Sequence, residues 1–274
     1  MDTNRIIIFG AGGMLGTDLA KTFKYYNVYA FSKIQADITN KKIVFEKINK
    51  INPRIVVNSA AYTDVDGCEK NKNQAFNVNG KAVKIIAEAC KKNNIPLLHI
   101  STDYVFDGKK NGYKENDKTN PVNIYGKSKA LGEKHLAETL DKYYLIRTSW
   151  LFGKRGKNFV GTILRLAKEK KELKVVNDQF GRPTYAKDLA NKIKEIVEAK
   201  MPFGTYHITN SGTCTWFQFA KKIIEFRKLN ARLKPIMSEE LNRPAKRPKC
   251  SVLLNTKLLP LRHWHPALKD YLGV

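Results

Sequence analysis

Tyr125 and Lys129 stand four residues apart in the stretch NIYGKSKALGE, residues 123–133. On a helix, residues at this spacing lie one above the other on the same face. An ammonium beside a phenol favours the phenolate, and so lowers the tyrosine pKa from about 10 toward a range useful for proton transfer. Tyrosine and lysine also occur at this spacing on solvated helix faces. The neighbouring segments decide between the two interpretations.

A glycine-rich turn follows the apolar run Arg5–Phe9 near the start of the chain. Gly10, Gly13 and Gly16 recur at intervals of three residues, between a predicted strand and a predicted helix. Glycine permits the tight turn, lets the backbone approach a pyrophosphate, and allows close packing of helix on strand. The start of the helix adds free N–H groups and a positive dipole end. The turn therefore predicts a dinucleotide site.

The residues after the second and third predicted strands indicate which dinucleotide binds. A site for NAD commonly has a carboxylate after the second strand, whereas this chain has Ser32 and Lys33. A hydroxyl and an ammonium suit a 2′-phosphate, so we expect NADPH, with NADH as the alternative if Lys33 points into water. We expect Asp37–Ile38 to border the adenine. Ala60–Thr63 follows the third strand, where the cofactor should pass.

Ser101, Thr102 and Asp103 form a polar run at the carboxyl end of the fourth predicted strand. Ligands bind at this edge of an open α/β sheet. Thr102 could hydrogen-bond a carbonyl oxygen beside Tyr125. The alternative is a strand-end turn capped by its own hydroxyls.

The first part of the chain alternates short apolar runs with helical patterns, which predicts an α/β fold with a Rossmann-type, doubly wound parallel sheet. We expect residues 1–150 plus about 185–210 to form the dinucleotide-binding domain. We expect about 151–184 plus 211–274 to form a smaller, discontinuous substrate-binding domain. The predicted strands are Arg5–Phe9, Val28–Ser32, Ile55–Asn58, Leu97–Ser101 and Tyr143–Arg147, and the predicted helices of this part include Asp18–Lys24, Lys41–Lys50 and Gln74–Lys92.

Composition excludes several other classes of protein. No run approaches the ~18 apolar residues of a membrane span, so we expect a cytoplasmic protein without a membrane partner. The four cysteines and five histidines show no metal-ligand spacing, and we expect no metal site. The formal charge of +25 would suit nucleic acid, but the lysines are scattered over the predicted helices without a recognition motif. We therefore expect no nucleic-acid partner; the charge would also attract an anionic nucleotide.

Taken together, the segments resemble the extended short-chain dehydrogenase/reductase superfamily, and within it the dTDP-4-dehydrorhamnose reductase family. Matching stretches occur in order over nearly the whole chain. Their sequences are FGAGGMLG, NSAAYTDVDGCE, STDYVFDG, NIYGKSKALGE, RTSWLFG, NDQFGRPT and YHITNSGTCTW.

The resemblance implies reduction of a dTDP-linked 4-keto sugar to dTDP-L-rhamnose. Tyr125 would donate the proton to the C4 oxygen, Lys129 would bind the nicotinamide ribose, and Thr102 would complete the triad. The implied cofactor-binding residues are Gly10, Gly12, Gly13, Met14, Gly16, Ser32, Lys33, Asp37, Ile38, Ala61, Tyr62, Thr63, Tyr125 and Lys129. The implied substrate-binding residues are Thr102, Asp103, Trp150, Arg243 and Arg247.

Three points stay open at this stage. Arg243 and Arg247 suit a diphosphate, but they also fit a basic surface loop. A relative in this superfamily is a non-catalytic regulatory subunit of methionine adenosyltransferase, and others are nucleotide-sugar epimerases; both remain alternatives. A homodimer is the oligomer left open.

Overall fold

The computed structural model describes residues 4–274, which form a mixed α/β protein around one parallel sheet. The strands are β1 Arg5–Phe9, β2 Asn27–Phe31, β3 Ile55–Asn58, β4 Leu97–Thr102, β5 Tyr143–Thr148, β6 Leu151–Phe152, β7 Glu172–Val176, β8 Phe180–Gly181, β9 Thr184–Tyr185, β10 Gly204–His207, β11 Asn210–Ser211, β12 Cys214–Thr215, β13 Arg232–Ile236 and β14 Leu261–His263. The α-helices are α1 Met14–Thr22, α2 Lys41–Ile51, α3 Val65–Lys70, α4 Lys72–Phe76, α5 Ala82–Lys92, α6 Ile124–Thr139, α7 Phe159–Glu169, α8 Ala186–Glu198, α9 Trp216–Phe226 and α10 Trp264–Leu272.

The central sheet has six strands in the order β10-β5-β4-β3-β1-β2, and every neighbouring pair is parallel. β1 and β3 are buried along nearly their whole length, as expected for strands covered by helices on both faces. The predicted doubly wound sheet is therefore confirmed. The strand order reverses between β1 and β3, and ligands of such sheets bind beyond the carboxyl ends of strands at that reversal.

Two apolar clusters cover the two faces of this sheet. Val44 and Ile86 belong to one cluster, and Leu19 and Ile193 belong to the other. A third cluster contains Phe152 together with residues of α7, α9 and α10. The proposed division into a dinucleotide-binding and a substrate-binding domain stays a prediction.

The helical region after β3 differs from its prediction as a single helix, Gln74–Lys92. It consists of α3, α4, a π-helical turn Asn77–Lys81, and α5. Within the π-helical turn, the Asn79 side chain accepts from the Tyr62 N–H at 2.8 Å and donates to the Tyr62 carbonyl at 3.0 Å. These two bonds fix the loop after β3 against the turn. Within residues 4–274, no helix is long and apolar enough to cross a membrane.

Candidate active site

Two side chains fix the start of α6, and so the position of Tyr125 in its first turn. The Asn123 side chain accepts from the Gly126 N–H at 2.8 Å, and a Glu69 carboxylate oxygen accepts from the Ile124 N–H at 2.9 Å. Both bonds satisfy N–H groups that a helix leaves without partners at its beginning. Gly126 lies against the Tyr104 carbonyl, which leaves no room for a Cβ atom. The first turn of α6 therefore packs directly on the backbone that follows β4.

This packing brings Thr102 and Tyr125 together. Hydrogen bonding to Thr102 lowers the pKa of Tyr125, but burial raises it more and the net direction is upward. Lys129 is not among the main causes of this shift, and its Nζ is turned toward the Ile100 carbonyl of β4. The predicted net lowering of the Tyr125 pKa is therefore wrong for this arrangement, because the pKa is raised. The phenol keeps its proton at neutral pH, as a proton donor must.

Lys129 is buried one turn after Tyr125. Its Nζ donates to the Ile100 carbonyl at 2.6 Å and lies 3.3 Å from His99 Nε2. Burial lowers the pKa of Lys129 to about 8, against a smaller upward effect of the Glu133 carboxylate. A lysine in this environment changes its charge much closer to neutral pH than an exposed one.

Asp103 is 2% exposed beside Thr102. The Thr102 hydroxyl donates to its Oδ1 at 3.0 Å, whereas Oδ2 is buried without a hydrogen-bond partner in the described chain. Burial raises the pKa of Asp103 to about 7, although the hydroxyls of Ser251 and Thr102 oppose the shift. An unpaired buried carboxyl oxygen is costly, and a ligand donor could satisfy it.

The glycine-rich turn lies at the reversal of the strand order. Gly10 has φ +80°, and its N–H donates to the Phe31 carbonyl at 3.0 Å. A Cβ atom at Gly10 would meet the Ala60 backbone, so the loops after β1 and β3 touch there. Gly13 precedes α1 without a side-chain cap, so no side chain of the N-cap residue accepts from the first N–H groups of the helix. Gly16 packs on this turn, because its Cβ would lie 2.7 Å from the Ala11 Cα.

The other predicted cofactor residues border the same crevice. A Cβ at Gly12 would contact the Ser32 Cβ at 3.6 Å, so these two residues face each other. The Ser32 hydroxyl and N–H both donate to Gln35 Oε1, at 2.8 and 2.9 Å. Met14 packs on Gly153. The remaining residues are exposed Lys33 and Thr63, half-buried Asp37, Ala61 and Tyr62, and buried Ile38.

Two of the predicted substrate residues, Arg243 and Arg247, line a pocket of about 750 Å³ beside Tyr104. The Tyr104 ring meets the Tyr125 ring edge to face at 5.9 Å, which joins this pocket to Tyr125. Trp150 stacks on Trp216 at 3.5 Å, with φ +45° at Trp150. The basic residues lining the pocket are Lys174, Arg243, Lys246, Arg247 and Lys249. This positive lining suits an anionic ligand.

Asp66 engages both arginines of the predicted diphosphate site. Arg247 donates to the two Asp66 oxygens at 2.6 and 2.8 Å, and Arg243 lies 3.4 Å away. This pairing lowers the pKa of Asp66 to about 2. The Arg247 fork is therefore occupied by a carboxylate, whereas Arg243 is half exposed. Diphosphate binding by these arginines stays a prediction.

Sequence reasoning missed several side chains that build the site. Asn58, Asp66 and Glu69 lie within the matched stretch NSAAYTDVDGCE, but no role was assigned to them. His99 precedes the matched stretch STDYVFDG by two residues. The sequence signal that could have indicated these residues is their polarity inside otherwise apolar or turn segments. Their partners come from distant parts of the chain, so the signal could not be interpreted locally.

Comparison with known proteins gives a consistent result. The family model described as RmlD substrate binding domain matches residues 4–274. A spore coat polysaccharide biosynthesis protein, SpsK, of Bacillus subtilis is 41% identical over 98% of this chain and 96% of its own length. A dTDP-4-dehydrorhamnose reductase of Aggregatibacter actinomycetemcomitans is 41% identical over 97% of each chain. The crystal structure of dTDP-4-dehydrorhamnose reductase from Bacillus anthracis, in complex with NADP, superposes with a TM-score of 0.96 at 39% identity over 99% of each chain.

Proposed function

Because the chain belongs to the RmlD substrate binding domain family, we propose that it is an NADPH-dependent dTDP-4-dehydrorhamnose reductase. The reaction reduces the C4 ketone of dTDP-4-dehydro-L-rhamnose and gives dTDP-L-rhamnose. The observation that carries the proposal is the proton-bearing Tyr125 in the first turn of α6, next to Thr102 at the carboxyl end of β4. The named relatives support the same substrate class.

Tyr125 is the proton donor in this proposal. Reduction of a ketone develops negative charge on the carbonyl oxygen, and a donor held in a buried site stabilises that charge. Burial keeps the pKa of Tyr125 above its ordinary value, so the phenol is protonated when the substrate arrives. Thr102 restrains the phenol through its hydroxyl, and Asp103 in turn accepts a hydrogen bond from Thr102. The oxygen at C4 therefore receives the Tyr125 proton.

The crevice beyond β1 fits a dinucleotide. The positive φ of Gly10 and the absence of space for a Cβ make a cradle that only a glycine backbone can form. The uncapped N–H groups at the start of α1 would hold the pyrophosphate, and Ser32 with Lys33 would hold a 2′-phosphate. Bound NADPH would supply the hydride.

The pocket beside Tyr104 would take the dTDP moiety. Its basic residues would face the diphosphate, and Phe159 and Trp216 provide aromatic surface next to them. Trp150 stacks on Trp216 and would border the sugar. Tyr104 connects this pocket to Tyr125, so a ligand that fills the pocket can extend its sugar toward the phenol.

A spectrophotometric assay tests the proposal. Oxidation of NADPH and of NADH is followed with dTDP-4-dehydro-L-rhamnose and with a small panel of other nucleotide-linked 4-keto sugars. We expect the fastest oxidation with NADPH and the dTDP-linked sugar. A protein purified with tightly bound NAD that interconverts sugars without net oxidation would instead be an epimerase. Cofactor binding without turnover, together with a stable complex with methionine adenosyltransferase, would indicate a regulatory subunit.

A further inference from the structure

A chain of buried polar side chains links β3, β4 and α6 behind the catalytic tyrosine. Asn58 and His99 are 0% exposed and Lys129 is 2% exposed. Asn58 Nδ2 lies 3.1 Å from His99 Nδ1, and His99 Nε2 lies 3.3 Å from Lys129 Nζ. Polar groups buried this completely need complementary partners, so the direction of each hydrogen bond matters.

The backbone fixes the direction of the hydrogen bonds among Asn58, His99 and Lys129 at the β3 end. The Ala60 N–H donates to Asn58 Oδ1 at 3.1 Å. A backbone N–H is only a donor, so the amide oxygen of Asn58 must face it and the amide NH₂ must face His99. His99 Nδ1 is therefore the acceptor, and the proton of the neutral ring is on Nε2. The reversed amide would place its NH₂ against the Ala60 N–H.

This tautomer has a consequence for Lys129. An ammonium has three donors and no acceptor, so it cannot pair with the N–H at His99 Nε2. A neutral amine has a lone pair that accepts from Nε2, and it keeps a donor for the Ile100 carbonyl at 2.6 Å. The neutral amine satisfies both contacts, whereas the ammonium satisfies one.

We propose that His99, oriented by Asn58, is a positioning residue for Lys129 that favours the neutral amine while Nζ faces β4. The proposal deepens the proposed function and rests on it for its catalytic meaning. Its structural content, the tautomer of His99 and the charge of Lys129, does not depend on turnover.

The charged and titratable groups around Lys129 are consistent with this role. On α6, Glu133 raises the pKa of Lys129, but its carboxylate is paired with Arg147. Burial outweighs this effect and lowers the pKa of Lys129 to about 8. On β4, burial is the main cause that lowers the pKa of His99, so its ring stays neutral. Tyr125, one turn before, remains protonated. Activity that depends on Lys129 should thus respond to pH near 8.

Two measurements on the cofactor-free wild-type protein test the proposal directly. Long-range ¹H–¹⁵N NMR distinguishes the two tautomers of His99, assigned by the signal missing in His99→Gln. We expect the proton on Nε2, and a proton on Nδ1 would overturn the proposal. ¹³C NMR of the lysine Cε atoms, assigned with Lys129→Met, gives the titration midpoint of Lys129. We expect it near 8, and an ordinary midpoint above about 10 would overturn the proposal.

Two substitutions should change the hydrogen bonding so that an acceptor, rather than an N–H, faces Lys129. In Asn58→Asp, the carboxylate accepts from both Ala60 and His99 Nδ1, which leaves Nε2 as an acceptor for an ammonium. In His99→Gln, the amide oxygen can face Lys129. We expect either change to raise the Lys129 midpoint by about one pH unit or more. An unchanged midpoint in a folded variant would overturn the proposal; either variant suffices if the other does not fold.

His135→Gln is the matched control. His135 lies on the same helix and has Nδ1 3.2 Å from the Gly80 carbonyl, without contact to Lys129. The control should leave the midpoint unchanged, and an equal shift would count against the proposal. The pH profile of kcat/KM should move upward with the midpoint in Asn58→Asp and His99→Gln alone. If no sugar is turned over, the proposed function fails, whereas the NMR results still decide the role of His99.

Discussion

Arg147 on β5 and Glu133 on α6 form a buried two-pronged ion pair. The guanidinium Nε and Nη2 donate to the two carboxylate oxygens at 3.0 and 2.7 Å, and each side chain is 7% exposed. The Ser101 hydroxyl donates to the same carboxylate at 2.5 Å. These bonds tie α6 to two neighbouring strands one turn beyond Lys129. They therefore fix the position of α6 relative to the sheet.

Glu133→Gln should lower the free energy of unfolding by about 3 kcal/mol, because it leaves the Arg147 charge buried without a counter-ion. Urea unfolding at neutral pH measures the loss. Glu138→Gln is the control on the same helix, since the Glu138–Lys134 pair is exposed and its charged atoms lie 3.7 Å apart. An exposed pair is worth under about 1 kcal/mol. Equal losses in the two variants would show that burial of the ion pair does not matter.

Tyr125→Phe should lower kcat by ~10²-fold or more, since it removes the proposed proton donor and otherwise preserves the ring. Stopped-flow or steady-state oxidation of NADPH with the dTDP-linked ketone measures the effect. The dissociation constant for NADPH, from fluorescence titration, should stay within a few-fold. Tyr25→Phe provides the matched control, because Tyr25 is 77% exposed. A Tyr125→Phe enzyme with the wild-type kcat would exclude Tyr125 as the acid.

Asp103 should make the protein less stable as pH rises. Its pKa is about 7 in the fold against 3.8 without the fold, so between these values the folded state binds more protons than the unfolded state. Stability attributable to Asp103 is then fully present below about pH 4 and is lost as pH rises to about 7. The free energy of unfolding of Asp103→Asn, minus that of the wild type, should increase over this range and level off above it.

Asp66 should show the opposite pH dependence. Its pKa falls from 3.8 to about 2 because Arg247 holds the charged form, so its contribution of about 2 kcal/mol is present above pH 4 and lost as pH falls to 2. Urea unfolding of Asp66→Asn and of the wild type, in a pH series extended down to pH 2, measures it. If the two aspartate variants follow the same slope with pH, the burial of Asp103 and the pairing of Asp66 do not control their protonation.

The sheet could be predicted because its signals are local, and the catalytic triad stays a prediction. β1 and β3 have the bounds predicted from their apolar runs, and Thr102 lies at the carboxyl end of β4. The environment of Lys129 could not be predicted, because it depends on His99 and Asn58 from strands that pair only in the fold. The same holds for the π-helical turn after α4. Its sequence keeps a helical pattern, but Asn79 bonds the Tyr62 backbone across 17 residues.

Lys33→Glu should shift cofactor preference from NADPH toward NADH. Lys33 is exposed at the end of β2, and its charge contributes to the lowered pKa of Asp37, so its field reaches the crevice. Replacing the cation with an anion should repel a 2′-phosphate, and the ratio of kcat/KM for NADPH to that for NADH should fall about tenfold or more, on the order of 1.4 kcal/mol.

Lys42→Glu separates this local effect from the general loss of positive charge. Lys42 is exposed in the first turn of α2, so the two variants have the same net charge. The Lys42→Glu ratio should stay near that of the wild type. If both ratios fall equally, the overall field of the +25 protein selects the cofactor. If neither ratio changes, Lys33 does not contact the 2′ position. Ser32 is then the next residue to substitute. Its N–H and hydroxyl both donate to Gln35 Oε1.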